Sequence, residues 1–278
     1  MTERAIAWLK RAQRDGAVAA TIGPDGSRGK PYVEVTGYLI PTLLNLGEEQ
    51  MARACAEYLL PIQRSNGAFP GLDGLSRTFD TSACFEGLMA AYNHFSDVRF
   101  LEAGTWARNW LMKQVRSDGS LHLFPSIDET RVYTCRADGL LKRDRGLKYW
   151  SPDGDWHPAW GTRERTHYIA YALEGLWRGG PHDVVVRVLE ASWQAIGPDG
   201  LMPFWIHEGW TGGEGTCLTA TAQMAMLYRW AGMDAERLMA GLEKARHPSG
   251  GFPVSAGEET CVSWALKFWL DAKLAAVQ

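Results

Sequence analysis

Six segments of the chain set a threonine among residue types that can do chemistry: VEVTGYLIPTLLNLG, FDTSACFEGLMAAYNHF, VYTCRADGLLK, ERTHYIAYALEGLW, EGTCLTATAQMAMLYRW and EETCVSWALKFWLDA. The threonines are Thr36, Thr81, Thr134, Thr166, Thr216 and Thr260. The residues just after them are Gly37, Ser82, Cys135, His167, Cys217 and Cys261. Just before stand Asp80, Tyr133, Arg165 and Glu259, and one step further out Glu34, Glu164, Glu214 and Glu258. If the six segments start at one rim of a common structure, these side chains form a ring.

Two kinds of chemistry follow from such a ring. A pair of carboxylates, Glu34 and Asp80, can divide acid and base work on a glycan, because burial and like-charge repulsion raise the pKa of one of them. His167 is an alternative acid or base. Taken singly, each acid is also a favourable charge at a helix N-terminus. Around this catalytic set, the expected substrate-binding residues are Tyr38, Tyr133, Arg136, Trp160, Trp205, Trp210, Glu214, Cys217 and Glu258. Arg136 can hold a carboxylate, and the loop residues Trp150, Trp156, Trp160, Trp205 and Trp210 can stack on sugar faces. The second chemistry is zinc binding by Cys135, His167, Cys217 and Cys261, since thiolates and imidazole are its usual ligands. Packing of small buried cysteines explains the same residues, and the expectation is no cofactor.

The elements that must position these residues are legible in the hydrophobic pattern. Each of the six segments has few charges after its first residues and is apolar on most faces, the mark of a helix buried all round. Between them lie one-sided segments with apolar residues at helical spacing: Ala5, Trp8, Leu9 and Ala12; Met51, Cys55, Tyr58, Leu59 and Ile62; Phe100, Ala103, Ala107, Trp110 and Leu111; Val185, Val188, Leu189 and Ile196; Leu238, Met239, Leu242 and Ala245. These predict an outer layer. Glycine turns join outer to inner segments, in QRSNGAFPG, VRSDGSLHLF, GPDGLMPFW, HPSGGFPVS and, more loosely, GPDGSRGKPY. The repeating unit of about 45 residues predicts stacked helical hairpins closed into a ring. Threonine at each inner start is expected to satisfy free amides of the first turn. Six such starts at one rim favour an anionic group there.

Composition narrows the classes. Charged residues make up 22% with a net charge of -3, so there is no basic footprint for nucleic acid. The cluster Lys142, Arg143, Arg145 and Lys148 is local, a solvated loop or an attractant for an acidic glycan. No apolar run approaches the roughly 20 residues of a membrane span, and the opening MTERAIAWLKRAQRD is charged in place of an apolar signal core. Five scattered cysteines without a CxxC pair fit a reducing cytoplasm. Thirteen tryptophans thicken a core or line a ligand surface.

The turn QRSNGAFPG resembles the QxxDGGW-type repeat of terpenoid cyclases, with Phe69 where that pattern has Trp. The segments YVEVTGYLIPTLL, FDTSACFEGLM, RTHYIAYALEGLW and TCLTATAQMAMLY resemble those of prenyltransferase-like toroid proteins from bacterial exopolysaccharide clusters. The likeness runs nearly end to end. It implies the six-hairpin α/α toroid shared by terpenoid cyclases, protein prenyltransferase β subunits, and several glycoside hydrolases and polysaccharide lyases. The expectation is an all-α, single-domain chain, residues 1–278, with six inner helices and about five outer ones. The stretch KRDRGLKYWSPDGDWHPAW, between Leu141 and Trp160, replaces one outer helix and leaves the (α/α)6 barrel incomplete; a second copy of the chain could cover that gap in a homodimer.

Within the resemblance, the prenyltransferase ligand set of Asp, Cys and His is not matched at a recognisable spacing. Neither the DXDD of class II cyclases nor the DDXXD of class I enzymes occurs. The functional expectation is a cytoplasmic protein of polysaccharide biosynthesis or processing, acting on an acidic or phosphorylated glycan as hydrolase, lyase or epimerase. A noncatalytic glycan-binding or scaffold protein and an isoprenoid cyclase or prenyltransferase-like enzyme are the alternatives.

Overall fold

Three of the chain's glycine turns fit against the backbone of the next outer helix. The computed structural model describes residues 2–117, 121–122, 135–141 and 163–275. Tyr133, Thr134, Trp150, Trp156, Trp160, the basic cluster from Lys142 to Lys148, the side chain of Cys135 and the stretch expected to replace an outer helix lie outside the described residues. Backbone contacts group the chain into two units, residues 1–137 and 138–278.

The first unit opens with α1 (Thr2–Ala12), then the short strands β1 (Gln13–Arg14), β2 (Ala17–Val18) and β3 (Thr21–Ile22). It continues through α2 (Val33–Asn45), α3 (Glu49–Ile62), α4 (Thr78–Phe95) and α5 (Val98–Lys113). Helix α6 (Cys135–Leu140) straddles the boundary. Helices α2 and α4 pack on each other and are buried on most faces, whereas α3 lies against α2, and α5 against α4. Burial of Ala5, Trp8, Leu9 and Ala12 on α1, and of Phe100, Ala103, Ala107, Trp110 and Leu111 on α5, follows the apolar stripes read from sequence.

The second unit holds β4 (Arg163–Arg165), α7 (Thr166–Gly179), α8 (His182–Ser192), β5 (Trp205–His207), β6 (Thr211–Glu214), α9 (Leu218–Trp230), α10 (Glu236–Ala245), β7 (Cys261–Val262) and α11 (Ser263–Ala275). Helix α9 is flanked by α7 and α11 and covered by α10. Eleven of its thirteen residues are buried, as an inner helix requires. Strands β4, β5 and β6 form a small antiparallel sheet, a local departure from the all-helical expectation, that sets Arg165 opposite Trp205 and Trp205 opposite Glu214. Among the described residues no helix is long and apolar enough to cross a membrane.

In three equivalent turns Gly16, Gly67 and Gly200 have φ of +82°, +95° and +83°, a region open to glycine. A β-carbon there would lie 2.3 to 2.4 Å from the carbonyl oxygens of Ala54, Trp106 and Arg237, all on outer helices. The equivalent turn near the N-terminus is therefore at Gly16. Gly26, in the segment GPDGSRGKPY chosen from the sequence, meets nothing within 4 Å. Two residues beyond each of the three glycines, the amides of Val18, Phe69 and Met202 donate to Thr36, Thr81 and Thr221 Oγ1, at 3.0, 3.0 and 2.9 Å.

These bonds correct the threonine reading. Thr36 and Thr81 occupy the fourth position of their helices and satisfy an amide of the incoming turn, instead of the amides of their own first turn. In α9 the corresponding residue is Thr221; Thr216 precedes the helix and accepts from the Ala256 amide at 3.1 Å. Thr260 likewise lies ahead of α11. The ring drawn through Gly37, Ser82, Cys135, His167, Cys217 and Cys261 is therefore not in register. A common register runs through the second helical residues instead: Glu34 on α2, Phe79 on α4, Arg136 on α6, His167 on α7, Thr219 on α9 and Trp264 on α11.

Candidate active site

Glu34 and Asp80, in the first turns of packed helices, are brought into one electrostatic environment within the first unit. Glu34 is 7% exposed and Asp80 2%. Glu34 Oε2 accepts from the Tyr32 hydroxyl. Asp80 Oδ1 is buried with no hydrogen-bond partner. Burial, and then the charge of Glu34, hold the Asp80 carboxyl well above the usual carboxylate range, against the opposing pull of Arg77. One turn further on, Cys84 donates to the Val33 carbonyl at 3.4 Å, and burial beside the two acids pushes its thiol far up. The cluster thus contains a carboxyl with a raised pKa, a second acid beside it and a thiol pushed far up.

A second cluster of the same unit is aromatic and cationic. Arg136 is fully buried and its guanidinium lies 2.5 Å from Glu86 Oε2. It also stands 5.7 Å from the Tyr38 ring centre and 5.9 Å from that of Phe79. Both rings occupy interior register positions, which is why a residue of α6 reaches them. With Glu86 already bound, the charge of Arg136 is compensated before any ligand arrives.

The second unit presents a different set. His167 Nδ1 is buried without a hydrogen-bond partner, and the ring lies among Tyr168, Tyr171 and Phe204. Burial, helped by Arg165, pulls its pKa down to about 3, so the ring is neutral near pH 7. Arg165 bonds the Tyr168 hydroxyl at 3.1 Å and lies over Tyr168, Phe204 and Trp205. Arg163 stacks 4.3 Å from the Trp205 ring centre and pairs with Glu214 at 3.0 Å.

Solved structures with the same chain path were found among enzymes. An α-amylase from Clostridium perfringens superposes with a TM-score of 0.76 at 12% identity, covering 99% of this chain and 98% of that one. The type II terpene cyclase MstE from Scytonema gives 0.72 at 15% identity over 99% and 96%, and an unsaturated glucuronyl hydrolase specific for heparin gives 0.72 at 13% over 99% and 95%. The fold is an α/α toroid. At these identities the likeness establishes the fold alone. No family model and no curated protein sequence matches the chain.

Within the toroid, the sequence-derived residues separate. Glu34, Asp80, Tyr38 and Arg136 belong to the first unit; His167, Trp205, Trp210, Glu214, Cys217 and Glu258 belong to the second. Trp205 is half-buried and bears the stacked arginines, but Trp210 is 1% exposed and packs in the interior, so its ring is not an open stacking face. Cys217 caps α9, its sulfur accepting from the Ala220 amide at 3.4 Å, and burial lifts its pKa to about 12. Cys261 is buried beside Ser249, and burial raises its thiol as well. Among the described residues no three His, Cys, Asp or Glu side chains gather as a metal site. Glu258 is exposed and accepts from the Ser255 amide at 3.4 Å.

Sequence reading missed Tyr32, Cys84 and Glu86. The spacing of Asp80 and Cys84 by four on one helix was available as a signal. The reach of Arg136 to Glu86, fifty residues apart, was not.

Proposed function

We propose that this toroid is a carbohydrate-active enzyme of polysaccharide biosynthesis or processing that cleaves an acidic or phosphorylated glycan, with Asp80 as acid and Glu34 as its ionised partner. The observation that carries this reading is Asp80 itself, a buried carboxyl with an unpartnered oxygen, its pKa raised by burial and by the Glu34 charge. Two carboxyls whose environments separate their protonation states are the working parts of glycosidic cleavage.

In this reading Asp80 donates its proton to the glycosidic oxygen as the bond to the anomeric carbon breaks. The positive charge that develops on the sugar is met by Glu34, kept anionic by the Tyr32 hydroxyl and by the N-terminal turn of α2. Glu34 then takes a proton from the attacking water, and proton exchange with solvent restores both groups. That an α-amylase and a glucuronyl hydrolase share the fold supports the carbohydrate class.

The test is turnover of a panel of uronic-acid and phosphorylated oligosaccharides by wild type, Asp80→Asn and Glu34→Gln, with binding followed by thermal shift. Loss of about 10²- to 10⁴-fold in rate with binding retained supports the reading. Binding without turnover in wild type points to a glycan-binding protein, and a thermal shift only with isoprenoid diphosphates points to a cyclase.

A further inference from the structure

We propose that the second unit contains a binding site for a neutral polyhydroxylated ligand, a sugar ring, built from Thr219 and Gln223 of α9, His167 and Tyr171 of α7, and Phe268 of α11. Its starting observation is Gln223, which is 0% exposed and has both its amide oxygen and its amide nitrogen without a hydrogen-bond partner. Thr219, one turn earlier and 1% exposed, has an unpartnered hydroxyl, and His167 has an unpartnered Nδ1. Buried polar groups are almost always satisfied, and leaving one unmet is costly. Four such atoms on two packed helices are therefore groups awaiting a partner. Thr221 of the same helix shows the contrast, since its hydroxyl both accepts from Met202 and donates to the Cys217 carbonyl.

Register places the set together. Thr219 and Gln223 are spaced by four and share a face of α9. The same positions, second and sixth, are His167 and Tyr171 on α7 and Trp264 and Phe268 on α11, the two inner helices that flank α9. Across them the Tyr171 and Phe268 rings meet at 5.5 Å, and His167 lies 6.5 Å from Tyr171. The α7 and α11 members of the set thus meet, and α9 packs against both of their helices.

The chemistry selects the ligand. Gln223 offers two donors and an acceptor, Thr219 one of each, and the neutral His167 ring a donor or an acceptor, with aromatic faces beside them. Of the nearby cations, Lys267 is paired with Asp271 at 2.7 Å, and Arg165, whose charge reaches His167, is held against the Tyr168 hydroxyl and the Tyr168, Phe204 and Trp205 rings. Vicinal hydroxyls on a ring with an apolar face match this complement. The identification as a sugar rests on the carbohydrate reading above; the existence of the site does not.

The test uses the full-length protein with neutral monosaccharides and neutral α- and β-1,4-linked glucan oligosaccharides, followed by thermal shift, alongside Gln223→Leu and Thr219→Val. Gln223→Leu is expected to raise the ligand-free Tm, by removing the unmet amide, and to weaken sugar binding by about tenfold or more. Thr219→Val, nearly isosteric, should weaken binding in the same direction and serves if Gln223→Leu does not fold. A raised Tm with unchanged sugar response means that the site holds only water and overturns the proposal, as does the absence of any shift in wild type with these sugars. Asp80→Asn separates this proposal from the catalytic one. Full turnover in that variant together with lost sugar binding in Gln223→Leu sinks the acid–base reading alone. Abolished turnover with unchanged binding and KM in Gln223→Leu sinks this one alone.

Discussion

The Cα of Gly87 on α4 lies against the carbonyl oxygen of Gly37 on α2, so close that a β-carbon at residue 87 would sit 2.1 Å from that oxygen. The oxygen is available because the residue four positions on is Pro41, which has no amide hydrogen to donate. Two glycines and a proline thus set the separation of the helices that carry Glu34 and Asp80.

Replacing Gly87 with Ala must push α2 and α4 apart. The expected result is destabilisation of about 2 to 4 kcal/mol in urea or thermal melts, at the upper end of single-residue effects. Because the two acids would separate with the helices, the pH dependence contributed by Asp80 should shrink in the same variant.

Asp80 itself predicts a stability profile. Its folded pKa is raised, so the folded protein holds a proton that the unfolded chain has lost above the ordinary value of 3.8. Stability must then fall as pH rises through the window between that value and the raised folded pKa. Asp80→Asn should flatten this fall and raise Tm at neutral pH while turnover is lost. A lower Tm at neutral pH would contradict the assignment of a protonated Asp80.

His167 should act in the opposite sense. Its folded pKa of about 3 lies below the ordinary value of 6.5, so its contribution is present above 6.5 and is lost as pH falls towards 3. The linked change is at most about 5 kcal/mol over that window. His167→Leu should flatten the acid side of a Tm-against-pH curve, and chemical denaturation at several pH values measures it.

Arg136 and Glu86 form a buried pair in which one partner cannot be removed cheaply. Arg136→Met should cost about 3 to 5 kcal/mol by leaving Glu86 uncompensated. Arg136→Met with Glu86→Leu should recover much of that loss, and a double-mutant cycle reads the coupling directly.

Thr81→Val tests the link between turn and inner helix. Losing the acceptor for the Phe69 amide leaves a buried donor unmet, an expected loss of about 1 to 3 kcal/mol. The same substitution at Thr216, whose hydroxyl accepts from an exposed segment, should cost less.

The helices, their two kinds of burial and the turn joining them were legible in the chain itself. Apolar residues at helical spacing can be buried in only one way, and Asp-Gly or Asn-Gly punctuation makes the turn local. The stripe Ala5, Trp8, Leu9 and Ala12, for example, is buried throughout. The pairing of Glu34 with Asp80 was legible as well, because each lies in the first turn of a consecutive inner segment. What the threonine pattern concealed was the register: Thr36 and Thr81 recur because they hold the incoming turn, so the residues beside them do not mark an interior ring. Tertiary packing alone decided which side chains face one another, that Arg136 is neutralised by Glu86, that Trp210 is sealed inside, and that Gln223 is left unsatisfied. Helix periodicity is a property of neighbours in sequence, whereas protonation state and hydrogen-bond satisfaction depend on groups that only folding brings together.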